Sequence, residues 1–452
     1  MRKIHFIAIG GSAMHNLAIA LRLKGFIVSG SDDEIYEPSR SRLKDHGLLP
    51  EKTGWDTSKV DIETDAVIVG MHAKEDNPEL KKAQELGIEV FSYPEFIYRE
   101  TKGKCRVVIG GSHGKTSITS MILHVMQYNN IGVDYMVGAQ LEGFDCMVKL
   151  TQENNIAILE GDEYLSSPTD RRPKFHLYKP DIAVISGIAW DHINVFPTFS
   201  NYVEQFAIFC SKIEPDGTLI YFEGDNEVQN IAEKSRADIK KVPYGTHDHF
   251  IEQGTTCLKT DVGDLPIAIF GEHNLQNLNC AKLVCKELGI SEDQFYVAIS
   301  SFKGASKRLE LVKETKESLM FKDFAHSPSK LKATTSALKN QFPDRELIAC
   351  MELHTFSSLN SEFLSQYRGA MGNADRAMIY YDPNVIAHKK LKPISKEEVA
   401  DAFATSNVEV YTESNSIVSE LRKLTWRGRN LLMMSSGNFN GVDFSKLADE
   451  LL

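Results

Sequence analysis

The sequence predicts an α/β protein built from three domains with mostly parallel sheets. Three observations predict it. The chain has 452 residues, which at roughly 150 residues per domain suggests three. Short apolar runs alternate with segments of helical period along most of the length. Gly-rich strand-to-helix turns open both the first and the second third.

The elements follow in order. Residues 4–9 (IHFIAI) read as a buried strand, Gly10-Gly11 as a turn, and Ala13–Lys24 as a helix with Met14, Leu17, Ala18 and Leu21 on one face. Ile27–Gly30 is a second strand, followed by Ser31-Asp32, which completes a βαβ unit. Strands at Ala66–Val69 and Ile88–Phe91 flank a helix from Pro78 to Leu86, and Thr101–Lys104 reads as a linker. A new α/β pattern then starts: strand Arg106–Ile109, loop Gly110–Gly114, helix Thr116–Met126, and strands at Ile156–Leu159, Ile182–Ile185 and Thr218–Phe222. Asp238–Phe270 reads as short strands and turns, Asn274–Leu288 as helix, with a break near Gly304. The last part places strands at Leu319–Lys322, Glu346–Met351, Ala377–Tyr381, Val408–Tyr411 and Leu431–Met434, with helices between them. The domains are therefore expected at 1–103, 104–304 and 305–452.

Composition narrows the function. Hydrophobic residues make up 42% and charged residues 25%, ordinary for a folded globular chain. Lys plus Arg number 51 against 62 Asp plus Glu, a net charge of −11, which argues against bulk binding to nucleic acid or an anionic membrane. An anionic ligand must then meet local cations, metal ions or helix N-termini. The seven cysteines form no CxxC pair, which reads as reduced thiols in a cytoplasmic protein. The N-terminus lacks a signal-peptide pattern, and no apolar run reaches the ~18 residues of a membrane span.

The strongest chemical signal is Gly110-Gly111-Ser112-His113-Gly114-Lys115-Thr116-Ser117, between a strand and a helix. Glycines let several N–H groups face a phosphate, Lys115 would sit on the terminal phosphates, and the Thr116 hydroxyl would ligate Mg²⁺. The strict pattern has glycine where this chain has Ile109. The second domain is thus expected to be of P-loop ATPase type. Glu160-Gly161-Asp162-Glu163 follows a strand and offers the hard oxygens Mg²⁺ takes. Trp190-Asp191-His192 also follows a strand; alone, His192 is no more than a candidate ligand. In Gly271-Glu272-His273-Asn274-Leu275-Gln276-Asn277, Asn274 and Asn277 suit adenine contacts or helix caps equally. Lys307-Arg308-Leu309-Glu310 and Asp323-Phe324-Ala325-His326-Ser327-Pro328 suit a γ-phosphate and a ribose, or a surface ion-pair cluster. The first turn, Gly10-Gly11-Ser12-Ala13-Met14 with Ser31 and Asp32, resembles a dinucleotide-binding opening without the strict GxGxxG; a bound pyrophosphate would rest on the helix N-terminus.

The order and spacing of these motifs resemble the Mur ligase family of peptidoglycan synthesis over the whole chain: GGSHGKTS, EGDEY, WDHINVF, GEHNLQN, and KRLE followed by DFAHSP. The resemblance implies an ATP- and Mg²⁺-dependent amide ligase working through an acyl phosphate, with a Rossmann-like first and third domain. It implies Lys115, Glu163, His192 and Arg308 as catalytic and Thr116, Glu163 and His192 as metal-positioning residues. Gly111, Ser112, His113, Gly114, Lys115, Thr116, Ser117, Asn274, Asn277, Arg308, Asp323 and His326 would contact the nucleotide. Gly10, Gly11, Ser12, Ala13, Met14, Ser31 and Asp32 would contact UDP-N-acetylmuramate, and the sites would be completed by domain closure. Members with such an N-terminal domain add L-alanine or a recycled murein tripeptide. DEYLSSPTDRRPKF, KRLE and SSGNFNG are more similar to the tripeptide-adding member. Three departures stand out: Ser327 for a second histidine, Gly161 for alanine, and Met351-Glu352-Leu353-His354-Thr355-Phe356 where the family carries an arginine-containing stretch. The oligomeric state, monomer or dimer, stays open. Three other classes are less favoured. A folate or polyglutamate ligase lacks the extra N-terminal unit. A nicotinamide dehydrogenase would rest on the first turn alone. A nucleotide-binding regulatory protein would not need Lys115, Thr116, Glu163, His192 and Arg308 intact.

Overall fold

Apolar residues fill the two inner strands of the first sheet, where both faces are covered, while its two edge strands are partly exposed. In the computed structural model, which describes residues 2–138, 140–141, 143–167, 170–190, 195–305, 308–404 and 407–452, four strands form this all-parallel sheet. They are β1 (Lys3–Ile7), β2 (Ile27–Ser31), β3 (Ala66–Val69) and β4 (Glu89–Ser92), in the order β2-β1-β3-β4. The helices here are α1 (Ser12–Leu23), α2 (Ser39–Asp45), α3 (Pro78–Glu85) and α4 (Tyr93–Thr101). α4 starts from a capping box, in which the Ser92 hydroxyl accepts from Glu95 N–H while the Glu95 carboxylate returns to Ser92 N–H. Under this sheet Ile7, Val67, Val69, Leu80 and Ala83 form one apolar cluster.

The second sheet has seven strands in the order β11-β10-β9-β5-β8-β6-β7. They are β5 (Cys105–Gly110), β6 (Asp134–Met136), β7 (Val148–Lys149), β8 (Ile156–Glu160), β9 (Ile182–Ile185), β10 (Thr218–Phe222) and β11 (Lys240–Tyr244). The helices between them are α5 (Lys115–Tyr128), α6 (Phe199–Ser211) and α7 (Asn226–Lys234). Only the β6/β7 pair is antiparallel. β5 lies between β8 and β9, with Ile109 opposite Glu160 and Gly110 opposite Ile185. Three strand ends are therefore level, which brings sequence-distant loops to one place.

Three antiparallel strands follow, β12 (His249–Glu252), β13 (Thr255–Thr260) and β14 (Gly263–Ile267), then α8 (Glu272–Glu287) and α9 (Glu292–Ile299). The last sheet comprises β15 (Glu310–Glu314), β16 (Leu319–Asp323), β17 (Glu346–Leu353), β18 (Arg376–Tyr381), β19 (Val408–Tyr411) and β20 (Arg429–Met434), ordered β15-β16-β20-β17-β18-β19. All pairs except β15/β16 are parallel. Alternate strand residues face opposite layers. Phe321, Ala349, Met351, Ile379 and Leu432 pack with α10 (Pro328–Gln341), while Met320, Ile348, Cys350, Met378 and Leu431 pack with Ile417 and Leu421 on the other side. Two compact units result: Met1–Ile188, Ser200–Gly245 and Cys280–Ser291 form one; Ala189–Phe199, Thr246–Asn279 and Glu292–Leu452 form the other.

Candidate functional site

The Gly-rich loop begins where β5 ends. Gly111 has φ +131°, and a Cβ there would overlap the Ser186 hydroxyl and come within 2.9 Å of Ser186 N. Gly114 has φ +74° and caps α5, a conformation glycine adopts without steric cost. The loop is strapped to the end of β9: Ser112 N–H donates to Gly187 O at 2.9 Å, and the Ser186 hydroxyl donates to His113 O. α5 thus starts with its N–H groups at the mouth of the loop, where an anion is favoured.

Two carboxylates close on this loop. Lys115 Nζ donates to Gly111 O at 2.7 Å and to Glu163 Oε2 at 2.8 Å. The Thr116 hydroxyl and Gly138 N–H both donate to Glu160. The Tyr202 hydroxyl lies 2.9 Å from Ser112 Oγ and donates to Glu163 Oε1 at 3.3 Å. Glu160 and Glu163 are each 2% exposed. Burial works against the Lys115 charge, yet Glu163, Asp162 and Glu160 together raise its pKa. Burial, then the Asp162 charge, raises the Glu160 pKa, against the donations from Thr116 and Gly138. Glu160, which the sequence places in the acidic segment without a role of its own, joins Glu163 at the loop. The signal that picks out Glu160 is the strand register, which spacing does not reveal. Ser117 is buried in the first turn of α5.

Thr116, Glu160 and Glu163 offer only hard oxygens in a buried, net-negative place, which fits Mg²⁺. No group of three or more His, Cys, Asp or Glu side chains suited to a metal occurs among the described residues. A protein share this small matches an ion that keeps water and phosphate oxygens as its remaining ligands. His192 and Asp191 lie outside the described residues.

A cavity of about 280 Å³ runs from Ser12 and Ala13 at the N-terminus of α1 to Gly138, Asp162 and Lys174 beside the acidic segment. Gly11 caps α1 with no side-chain hydrogen bond to its N–H groups. Gly10 N–H donates to Asp32 Oδ2 at 2.7 Å, and burial raises the Asp32 pKa against that donation. Two residues expected at a ligand turn inward instead. Met14 falls on the apolar face of α1 and is 4% exposed. Ser31, the last residue of β2, is fully buried with its hydroxyl 3.3 Å from Lys59 Nζ. Both shape the turn from behind.

The remaining candidates lie in the second unit. Asn274 and Asn277 are buried near the start of α8, and Asn274 Nδ2 donates to Phe270 O at 2.9 Å. That bond ties the side chain to the preceding turn and differs from a helix N-cap, in which the side chain accepts from a backbone N–H. Asp323 ends β16 and accepts from Leu309 N–H at 2.7 Å and Ala325 N–H at 2.6 Å. Burial raises its pKa, against the charge of Arg308. The Arg308 guanidinium lies 5.0 Å above the Phe324 ring. His273, passed over in the sequence, joins this group: burial and the Arg308 charge lower its pKa to about 4, so it is neutral at pH 7. His326 Nδ1 is 2.8 Å from Phe324 O, and the Tyr367 hydroxyl donates to His326 O at 2.6 Å.

Comparison with known proteins matches residues 3–104 to the Mur ligase family catalytic domain and residues 109–285 to the Mur ligase middle domain. The UDP-N-acetylmuramate–L-alanine ligase of Sulfurihydrogenibium sp. is 28% identical over 448 residues, covering 97% of this chain and 95% of its own. The ligase of the same name from Levilactobacillus brevis is 30% identical over 366 residues, covering 78% and 77%. The crystal structure of a murein peptide ligase from Psychrobacter arcticus superposes with a TM-score of 0.64 at 21% identity, covering 100% of this chain and 99% of that one.

Proposed function

The chain belongs to the Mur ligase family and is an ATP-dependent carbon–nitrogen ligase, and from that premise we propose that it joins the carboxylate of UDP-N-acetylmuramate to the amine of an amino acid or short peptide. The observation that carries this reading is the cluster of Lys115, Thr116, Glu160 and Glu163 at three level strand ends. The carboxylate attacks the γ-phosphorus of ATP, ADP leaves, and an acyl phosphate forms; the amine then displaces phosphate. A carboxylate approaching a triphosphate brings like charges together, and their repulsion grows in a water-poor cleft. Lys115 offsets it, with its charge held on by the surrounding carboxylates. When triphosphate enters, Lys115 exchanges the Glu163 carboxylate for phosphate oxygens, which leaves Glu163 and Glu160 to a cation. Thr116, Glu160 and Glu163 would hold Mg²⁺, with His192 as a further ligand. Bound there, the ion neutralises charge on the transferring phosphoryl group.

We assign the UDP-sugar to the cavity between α1 and the acidic segment, within residues 1–103 and the adjoining loops. ATP falls to the Gly-rich loop within residues 104–304 and the amine to residues 305–452. A cytoplasmic setting suits all seven cysteines being free and the absence, among the described residues, of a helix long and apolar enough to cross a membrane.

The relatives named as L-alanine ligases, one of them matched over 97% of this chain, make L-alanine the amine we propose. The tripeptide L-alanyl-γ-D-glutamyl-meso-diaminopimelate is the second reading, carried by this chain's own Glu163-Tyr164 and Arg171-Arg172-Pro173-Lys174-Phe175. Incubation with ATP, UDP-N-acetylmuramate and either amine decides it by phosphate release. Release with L-alanine alone establishes the first reading, and release with the tripeptide alone replaces it with the second. Release with neither removes the reaction.

A further inference from the structure

Two segments outside the nucleotide-binding cluster meet at the carboxyl ends of β17 and β20. The parallel register sets Met351 opposite Met434, so the residues that follow, Glu352 and Ser435, are side by side. The Ser435 hydroxyl donates to Glu352 Oε2, and Phe439 N–H donates to the same oxygen at 2.8 Å. Gly437 N–H donates to Ser435 Oγ at 2.6 Å. Glu352 is 4% exposed. Its second oxygen, Oε1, lies 3.7 Å from Nδ1 of His354, whose side chain is 40% exposed. The loop sits directly on this pair: a Cβ on Gly437 would come within 2.8 Å of Glu352 Oε2 and 3.0 Å of the His354 ring. A buried carboxylate thus lies 3.7 Å from one ring nitrogen of a histidine whose side chain is 40% exposed, at the strand ends where α/β sheets bind ligands.

We propose that His354, oriented by Glu352, is the base that takes the proton from the incoming amine. This rests on the ligase reaction proposed above. At pH 7 the α-amino group of a peptide, with pKa about 7.7–8.0, and still more that of a free amino acid, is mostly an ammonium ion that cannot attack. An N–H bond of the ammonium breaks and its proton passes to Nε2 of the imidazole, while the Nδ1 side is toward Glu352. The freed lone pair forms the C–N bond with the acyl carbon. The C–O bond to phosphate breaks with its electron pair, and the second N–H proton leaves with the phosphate. The partly exposed imidazolium then returns its proton to solvent. Glu352 is a positioning residue: it fixes the ring and stabilises the imidazolium.

The test compares two nucleophiles at pH 7 in wild type, His354→Gln and Glu352→Gln, all with ATP and UDP-N-acetylmuramate. One nucleophile is the amino acid or tripeptide that supports wild-type turnover. The other is hydroxylamine, which is unprotonated at neutral pH and needs no base. His354→Gln should lose on the order of 10²–10⁴-fold in amide formation yet keep wild-type hydroxamate formation, which also certifies its fold. Glu352→Gln should show a smaller loss of the same selectivity. Equal loss with both nucleophiles in His354→Gln, or no loss with the natural amine, overturns the assignment. Wild type that forms neither amide nor hydroxamate overturns the ligase reaction itself, and the assignment with it.

Discussion

Lys115→Ala separates the two duties of the loop lysine. In the free protein its Nζ is 2.8 Å from Glu163 Oε2, and the two side chains are 14% and 3% exposed. Removing the cation takes the charge partner at 2.8 Å away from a buried carboxylate, to which the Tyr202 hydroxyl also donates at 3.3 Å. Breaking a buried pair from one side costs about 3–5 kcal/mol. Urea unfolding of Lys115→Ala should show a loss of that size, and Lys115→Ala/Glu163→Gln should recover most of it because the uncompensated charge is gone. Activity behaves differently. Loss of one preorganised stabiliser of phosphoryl charge costs roughly 10²–10³-fold in rate, and the double variant should not recover it. A single variant with wild-type stability and more than half the wild-type activity refutes the reasoning. So does a double variant no more stable than the single.

The same site yields three further expectations. Glu160 is held above its ordinary pKa by burial and Asp162, so above the usual glutamate range the unfolded chain binds fewer protons and stability falls as pH rises toward the folded value. Glu160→Gln should therefore raise the melting temperature at neutral pH and flatten its decline from acid to neutral pH, while weakening Mg²⁺-dependent turnover; a lower melting temperature at neutral pH contradicts this. Gly111→Ala places a Cβ on the Ser186 hydroxyl at φ +131° and should abolish ATP binding by calorimetry; wild-type affinity would show that the loop is not fixed as described. Gly161→Ala meets Val108 Cγ1 at 2.9 Å, Ile109 O at 3.1 Å and Phe175 Cβ at 3.2 Å. It should cost about 1–3 kcal/mol in chemical denaturation, although alanine is the residue the family resemblance leads one to expect there.

Strands buried on both faces were legible from composition alone: Ala66–Val69, Ile182–Ile185 and Thr218–Phe222 stand where the sequence reading put them. α4 is absent from the elements expected from sequence although Pro94 in its first turn favours a helix start, and its last residue, Thr101, falls in the stretch that reads as linker. The Ser92–Glu95 capping box is the signal that marks it. In the site, the glycines, Lys115 and Thr116 are contiguous and could be read as a unit. Glu160 against Thr116, and Ser435 against Glu352, depend on which strands are neighbours and in what register. No local pattern encodes that. Met14 and Ser31 show the converse limit: adjacency to a Gly-rich turn does not say which way a side chain points, and the period of α1 and the end of β2 turn both inward.

The central claim is that the Gly-rich loop lets a carboxylate accept the γ-phosphoryl group of ATP. It is tested most directly by oxygen-18 transfer from UDP-N-acetylmuramate labelled in its carboxylate. Phosphate released during amide formation should carry one labelled oxygen, with ADP as the other nucleotide product. Unlabelled phosphate, or label recovered in AMP, would contradict the account.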